Sequence, residues 1–140
     1  MHFGDGRELD KFEIAMEATG LAWWWMELPS GAVFFSPNKA QMIGRNPADF
    51  MHYKDFTDLV HPDDYEKAMQ AMRDHLEGKK ELYETTYRIK HQDGSYVQFY
   101  DRGQIVGREE GKIVLAGFVF DVVKFDTSAV TEARTNVTAS

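Results

Sequence analysis

An α+β fold, a β-hairpin and a three-stranded antiparallel meander separated by a group of helices, is the architecture this sequence predicts. Three observations carry it. Leu9, Phe12, Ile14, Ala15, Met16 and Ala18 recur at helical spacing near the start, and Gly20 stops the pattern. Strand-like text fills 21–35 and 82–123, cut by the turn words Pro29-Ser30-Gly31, Asp93-Gly94 and the segment 107–111. Between these two regions stand helix and turn starts, Ser36-Pro37, Asn46-Pro47 and His61-Pro62-Asp63-Asp64.

The elements follow in order. After the amphipathic opening helix, Ala22-Trp23-Trp24-Trp25-Met26 and Ala32-Val33-Phe34-Phe35 form a β-hairpin. Side chains alternate faces along a strand, so Trp24 and Met26 share one face and Trp23 and Trp25 the other. Both faces need cover, one from the domain interior and one from the opening helix or another subunit. Ser36 is placed to cap a short helix with Pro37 at its first position, and Gly44 closes that segment. A longer helix runs from His61-Pro62 to about Leu76, its first-turn acids matching the helix dipole and Tyr65, Met69, Met72 and Leu76 forming its inner stripe. Three strands then meander through Leu82 to His91, Tyr96 to Val106 and Lys112 to Val123. The text DTSAVTEARTNVTAS beyond them is poor in large apolar residues and reads as a linker or frayed helix.

Bulk composition narrows the function. With 140 residues, 43% hydrophobic and 14% aromatic, the chain supports one core and one domain. Its net charge of -7 and the lack of a Lys/Arg cluster argue against a nucleic-acid partner. The absence of cysteine excludes disulfides, thiolate metal sites and covalent thiol chemistry. No apolar run approaches the roughly 20 residues that span a bilayer, and the start MHFGDGRELD lacks signal-peptide character, so a cytoplasmic location is expected.

Catalytic patterns are missing. His2, His52, His61, His75 and His91 show no ligand spacing on a helix, and no metal site is expected. His61 reads as a helix-start residue bonding backbone, Asp63-Asp64 as a solvated helix start and Glu109-Glu110 as a solvated turn. No serine sits in GxSxG, and no glycine pattern matches a nucleotide loop. The chain is therefore read as a non-enzyme. What stands out is the density of Met and aromatic residues, including Phe99 and Phe120, which either fill a core or line a pocket.

This order of elements resembles the PAS domain, in particular the PAS-3 type of bacterial signalling sensors. The words that carry the resemblance are Gly20 and Trp24 ahead of Pro29-Ser30-Gly31, Phe35-Ser36-Pro37, Met42-Ile43-Gly44, and Leu59-Val60-His61-Pro62-Asp63-Asp64. They continue with Tyr87-Arg88-Ile89, Asp93-Gly94-Ser95-Tyr96, Asp101-Arg102-Gly103, Gly117 and Asp121-Val122. The resemblance implies a five-stranded antiparallel sheet in the order 2-1-5-4-3, helices over one face enclosing a ligand cavity, and the opening helix on the other face or on a partner. It divides the chain into a cap-helix start at 1–11, a PAS domain at 12–123 and a signal-transmitting extension at 124–140.

The implied function is a sensory module that binds a small molecule or dimerises to regulate an attached output domain such as a histidine kinase or diguanylate cyclase. Pocket candidates are Trp24, Met26, Phe35, Met42, Phe56, Met69, Met72, Tyr87, Gln98, Tyr100 and Phe118. Gln98 stands where the family commonly has Trp, and is either a ligand-bonding amide or a solvated one. Asp121 is the expected joint to the output, and Phe12, Met16, Trp23 and Trp25 the expected homodimer face. Adduct-forming flavin is excluded without cysteine; haem is disfavoured because Lys67 stands where haem-binding members carry the ligand His; non-covalent flavin remains open. The rival reading is a ligand-free interaction module whose cavity is filled by side chains.

Overall fold

A computed structural model describes residues 7–123 of the chain. The expected extension at 124–140 and the first residues of the cap segment lie outside that range. The elements are α1 (Arg7–Thr19), β1 (Leu21–Leu28), β2 (Val33–Phe35), α2 (Pro37–Gln41), a 3-10 turn (Pro47–Asp49), α3 (Tyr53–Thr57), α4 (Pro62–Leu76), β3 (Tyr83–Lys90), β4 (Tyr96–Glu109) and β5 (Lys112–Asp121). All five strands are antiparallel and ordered β2-β1-β5-β4-β3, the order the resemblance implies. No described helix is long and apolar enough to cross a membrane.

Alternation divides the sheet into two faces. Ala22, Trp24 and Met26 of β1, Phe99 and Asp101 of β4, and Leu115 and Val119 of β5 point inward and are buried. Tyr83, Tyr87 and Ile89 of β3 join them beneath the helical segment 37–76. Burial of this one face supplies the domain's core.

Four local details differ from the sequence reading. Ser36 precedes α2 but does not cap it, because its hydroxyl is drawn sideways to β1: Oγ accepts from the Trp23 N–H at 2.9 Å and donates to the Trp23 carbonyl at 3.2 Å. The inner stripe of α4 is rotated, so that Tyr65 is exposed while Ala68 and His75 are buried and Met69, Met72 and Leu76 are half-buried. The rotation follows from Asp64, whose carboxylate grips the Arg88 guanidinium at 2.8 and 3.0 Å and the Arg88 N–H at 2.9 Å, fixing the helix on β3. β4 runs past its expected end at Val106 to Glu109 through an irregularity between Ile105 and Gly107. The turn to β5 shrinks accordingly to Glu110-Gly111, both at positive φ, as a two-residue hairpin turn requires.

His61 behaves as read from the sequence, its Nδ1 accepting the Asp63 N–H at 3.0 Å at the start of α4. His75 closes the other end. Its Nε2 accepts the Ile105 N–H at 2.9 Å beside the β4 irregularity, and Nδ1 lies 3.1 Å from the Lys80 carbonyl, so the imidazole ties α4 to the sheet.

Candidate functional site in the core

The site begins with two glycines. Gly103 of β4 and Gly117 of β5 are directly paired, and a Cβ on either would come within 2.7 or 2.6 Å of Trp24 Cζ2. With no side chains there, the Trp24 indole lies across two neighbouring strands. Its Nε1 reaches Asp101 Oδ1 at 2.5 Å.

Asp101 is the centre of a buried polar cluster. Its second oxygen accepts the Tyr87 hydroxyl at 2.8 Å and, at 3.5 Å, the Tyr83 hydroxyl. Burial raises its pKa, and the Lys39 charge and the donors from Tyr87, Trp24 and Tyr83 oppose that rise. The same burial, reinforced by the Asp101 charge, pushes both tyrosines well above their ordinary value, so they remain donors.

Lys39 enters from α2 and is only 3% exposed. Its Nζ sits 3.5 Å from the centre of the Phe35 ring and 3.9 Å from that of Phe56, a cation–π arrangement. Burial lowers its pKa to about 7, against the pull of Asp101. Among the described residues, its ammonium has the two ring faces for direct partners and no hydrogen-bond acceptor.

A cavity of about 70 Å³ opens at this point, between α2, α3 and the sheet. Five of the residues expected at a pocket line it: Trp24, Met26, Phe35, Phe56 and Met72. Lys39, Tyr53, Thr57, Tyr83, Val33 and Asp101 complete the wall and were not singled out as pocket residues from the sequence. Among the described residues, Thr57 Oγ1 has no hydrogen-bond partner and is buried.

The remaining expected pocket residues lie elsewhere. Tyr87 is buried in the core outside the cavity wall and meets the site through its bond to Asp101 and its edge contact with Phe56. Met42 and Met69 pack half-buried against the core without lining the cavity. Gln98, Tyr100 and Phe118 are on the outer face, because Phe99 and Asp101 in β4 and Gly117 and Val119 in β5 take the inward places of the alternation. Gln98 is exposed, and Tyr100 donates its hydroxyl to Glu84 across the outer face.

The expected interaction residues come together on that outer face. Phe12 and Met16 of α1, Trp23 and Trp25 of β1, and Phe118 of β5 line one surface groove. Trp25 is 41% exposed and Phe118 50%. Asp121 is buried at the end of β5, opposite Phe99, and its Oδ1 accepts the Val123 N–H at 2.9 Å, so it holds the chain as it leaves the sheet. Among the described residues, no group of three acidic or histidine side chains is placed to hold a metal ion.

Comparison with solved structures returns the same architecture. A sensory box histidine kinase/response regulator from Burkholderia thailandensis E264 aligns with a TM-score of 0.66 at 25% identity, over 93% of this chain and 99% of that one. The N-terminal domain of a diguanylate cyclase with PAS/PAC sensor from Marinobacter aquaeolei aligns with a TM-score of 0.65 at 25% identity, over 73% of this chain and 94% of the other. A domain of a light and redox sensing histidine kinase described from Haloarcula marismortui shares the fold, with a TM-score of 0.64 at 21% identity over 81% and 98% of the two chains. A sequence search of functionally curated proteins gives no significant match. The PAS_3 model of the PAS fold matches residues 32–119, a span that includes the whole lining of the cavity except Trp24 and Met26, and the chain therefore belongs to the PAS fold family.

Proposed function

We propose that this PAS domain is a sensory module that binds a small molecule in its core and passes the resulting change in packing along the sheet to an attached output domain. One observation carries the reading: a small cavity lies between the helices and the sheet, walled by apolar side chains and by the buried Lys39, which is held on the Phe35 and Phe56 rings. A ligand that binds two packings of this core unequally shifts their populations. Trp24 provides the connection, since its indole spans β5 and β4 from the cavity wall, and Asp121 ends the same β5 strand. The aligned chains from Burkholderia and Marinobacter are described as sensors attached to histidine kinase and diguanylate cyclase outputs, which supports an output of that kind.

The cavity also limits the ligand. At about 70 Å³ it is far below the roughly 300–1,000 Å³ of drug- and cofactor-sized pockets, which argues against flavin or haem in the core. Filling it is the test: in the full-length protein, Val33→Phe is expected to hold the output in one state and abolish its response. A Val33→Phe protein that responds like the wild type would overturn the proposal.

A second reading is supported by a different observation, the exposed aromatic residues of the outer face. Trp25, Phe34 and Phe118 are half-exposed beside the α1 residues Phe12 and Met16, a surface suited to a second copy of the chain.

A further inference from the structure

We propose that the core cavity takes a small apolar molecule, of about four heavy atoms or fewer, recognised by shape and dispersion contact rather than by hydrogen bonds. The inference rests on the ligand-binding reading above and adds the chemical class of the ligand.

The polar groups that the sheet and α2 bring to the wall are already committed within the protein. Asp101 accepts the Trp24 indole at Oδ1 and the hydroxyls of Tyr87 and Tyr83 at Oδ2, which occupies the carboxylate and the donors of Trp24 and Tyr83 together. The Lys39 ammonium rests on the Phe35 and Phe56 rings. Thr57 shares the wall, yet its Oγ1 is buried and presents no surface to a ligand. What the cavity offers is therefore the aromatic, thioether and aliphatic surface of Trp24, Phe35, Phe56, Met26, Met72 and Val33. A polar molecule entering there sheds its hydration and finds almost nothing to replace it, whereas an apolar one gives up no hydrogen bond and gains contact.

Charge and size narrow the class further. Lys39 and Asp101 are buried groups of opposite sign, and a charged ligand would add a third with nothing to offset it. The volume of about 70 Å³ lies well above the ~10–15 Å³ that holds a single water and below the ~150 Å³ of a cavity that admits benzene. A molecule of about four heavy atoms fits between those limits. The wall also gives occupancy a consequence. Trp24 and Tyr83 meet edge to face with ring centres 5.8 Å apart, and both border the cavity and bond Asp101, so a body pressed against them bears on those bonds.

Three probes of the same Y shape separate the possibilities: isobutene, acetamide and acetate. Each is titrated into protein carrying 13C-methyl methionine. Met26 and Met72 line the cavity and report occupancy, while Met42 and Met69, outside its wall, serve as internal controls. Isobutene is expected to shift Met26 and Met72 saturably. Acetamide should bind at least about ten-fold more weakly, and acetate more weakly still. Val33→Ile adds one methylene to the wall and should weaken isobutene about ten-fold.

Acetamide or acetate binding as tightly as isobutene would overturn the apolar class and leave the ligand-binding reading standing. Isobutene that shifts Met42 and Met69 as far as Met26 and Met72, or that binds Val33→Ile undiminished, would place it outside this cavity and overturn the inference. If no probe moves Met26 or Met72, the ligand-binding reading falls and this inference falls with it.

Discussion

Lys39 makes the stability of this domain depend on pH in a direction that follows from its burial. In the folded chain its pKa is lowered to about 7, while an unfolded lysine titrates near 10.5. Between those values the unfolded chain binds the extra proton, so stability rises with pH across that window. Below pH 7 both states hold the proton and the full cost of burying the ammonium stands. From pH 7 to 9 the expected gain is about 2 kcal/mol. Lys39→Met should flatten this rise, measured by denaturant unfolding at pH 7, 8 and 9; a variant that climbs in parallel with the wild type would show that Lys39 is not its source. Asp101 acts in the opposite sense, because a raised carboxyl pKa makes stability fall as pH climbs from 3.8 towards its folded value. Its partner Trp24 gives a second prediction: Trp24→Phe leaves Oδ1 without its indole donor and is expected to cost about 1–3 kcal/mol. Trp24 was legible in the sequence, since alternation set it on one face with Met26 and its position in the family resemblance made that the inner face. Lys39 was not, because the word Pro37-Asn38-Lys39-Ala40-Gln41 reads as a solvated short helix, and only the fold brings Phe35 and Phe56 under its side chain.

At the scale of elements, the Gly103–Gly117 pair is where sequence and site meet. Gly117→Ala would place a methyl group 2.6 Å from Trp24 Cζ2 and 2.3 Å from the Arg102 carbonyl, and backbone cannot yield as a flexible side chain would. The indole must move and its bond to Asp101 must lengthen. The expected result is a lower melting temperature together with a changed near-ultraviolet signal from tryptophan; a variant with both unchanged would show that the strands accommodate the methyl. The hairpin turns at 29–31 and 93–94 were readable because turn residues mark them, whereas the strand order followed only from the family resemblance. The facing of β4 and β5 was harder to read. Tyr100, Phe118 and Phe120 give the outer face an apolar pattern as strong as that of the inner one, while a carboxylate, Asp101, takes an inward place. Hydrophobicity therefore pointed to the wrong side for Tyr100 and Phe118. The stripe of α4 was misread for a related reason: the Asp64 clamp on Arg88 and the buried His75 turn the helix, and both are polar residues that an apolar pattern leaves out.

Over the described residues one sheet presents two faces, and the roles proposed for them can be separated by experiment. The inner face carries the cavity and ends at Asp121, whose side chain holds Val123 as the chain leaves β5. Asp121→Ala is expected to reduce the response of the full-length protein while the isolated domain keeps its far-ultraviolet spectrum. An unchanged response would remove Asp121 from the path. The outer face calls for a different test, because its large side chains are exposed and contribute little to the stability of one copy. A stable dimer buries roughly 800 Å² per partner, and a groove lined by Phe12, Trp25 and Phe118 offers aromatic anchors for one. Trp25→Glu puts a carboxylate among them. In one copy that side chain reaches water, so folding should be little affected; in a dimer it would be buried without a partner, which costs several kcal/mol. Light scattering across a concentration series should therefore find the wild type dimeric and Trp25→Glu monomeric, with both proteins melting at similar temperatures at low concentration. A wild type that stays monomeric at hundreds of micromolar, or a variant that dimerises equally well, would show that the outer aromatic face is not where copies of this chain meet.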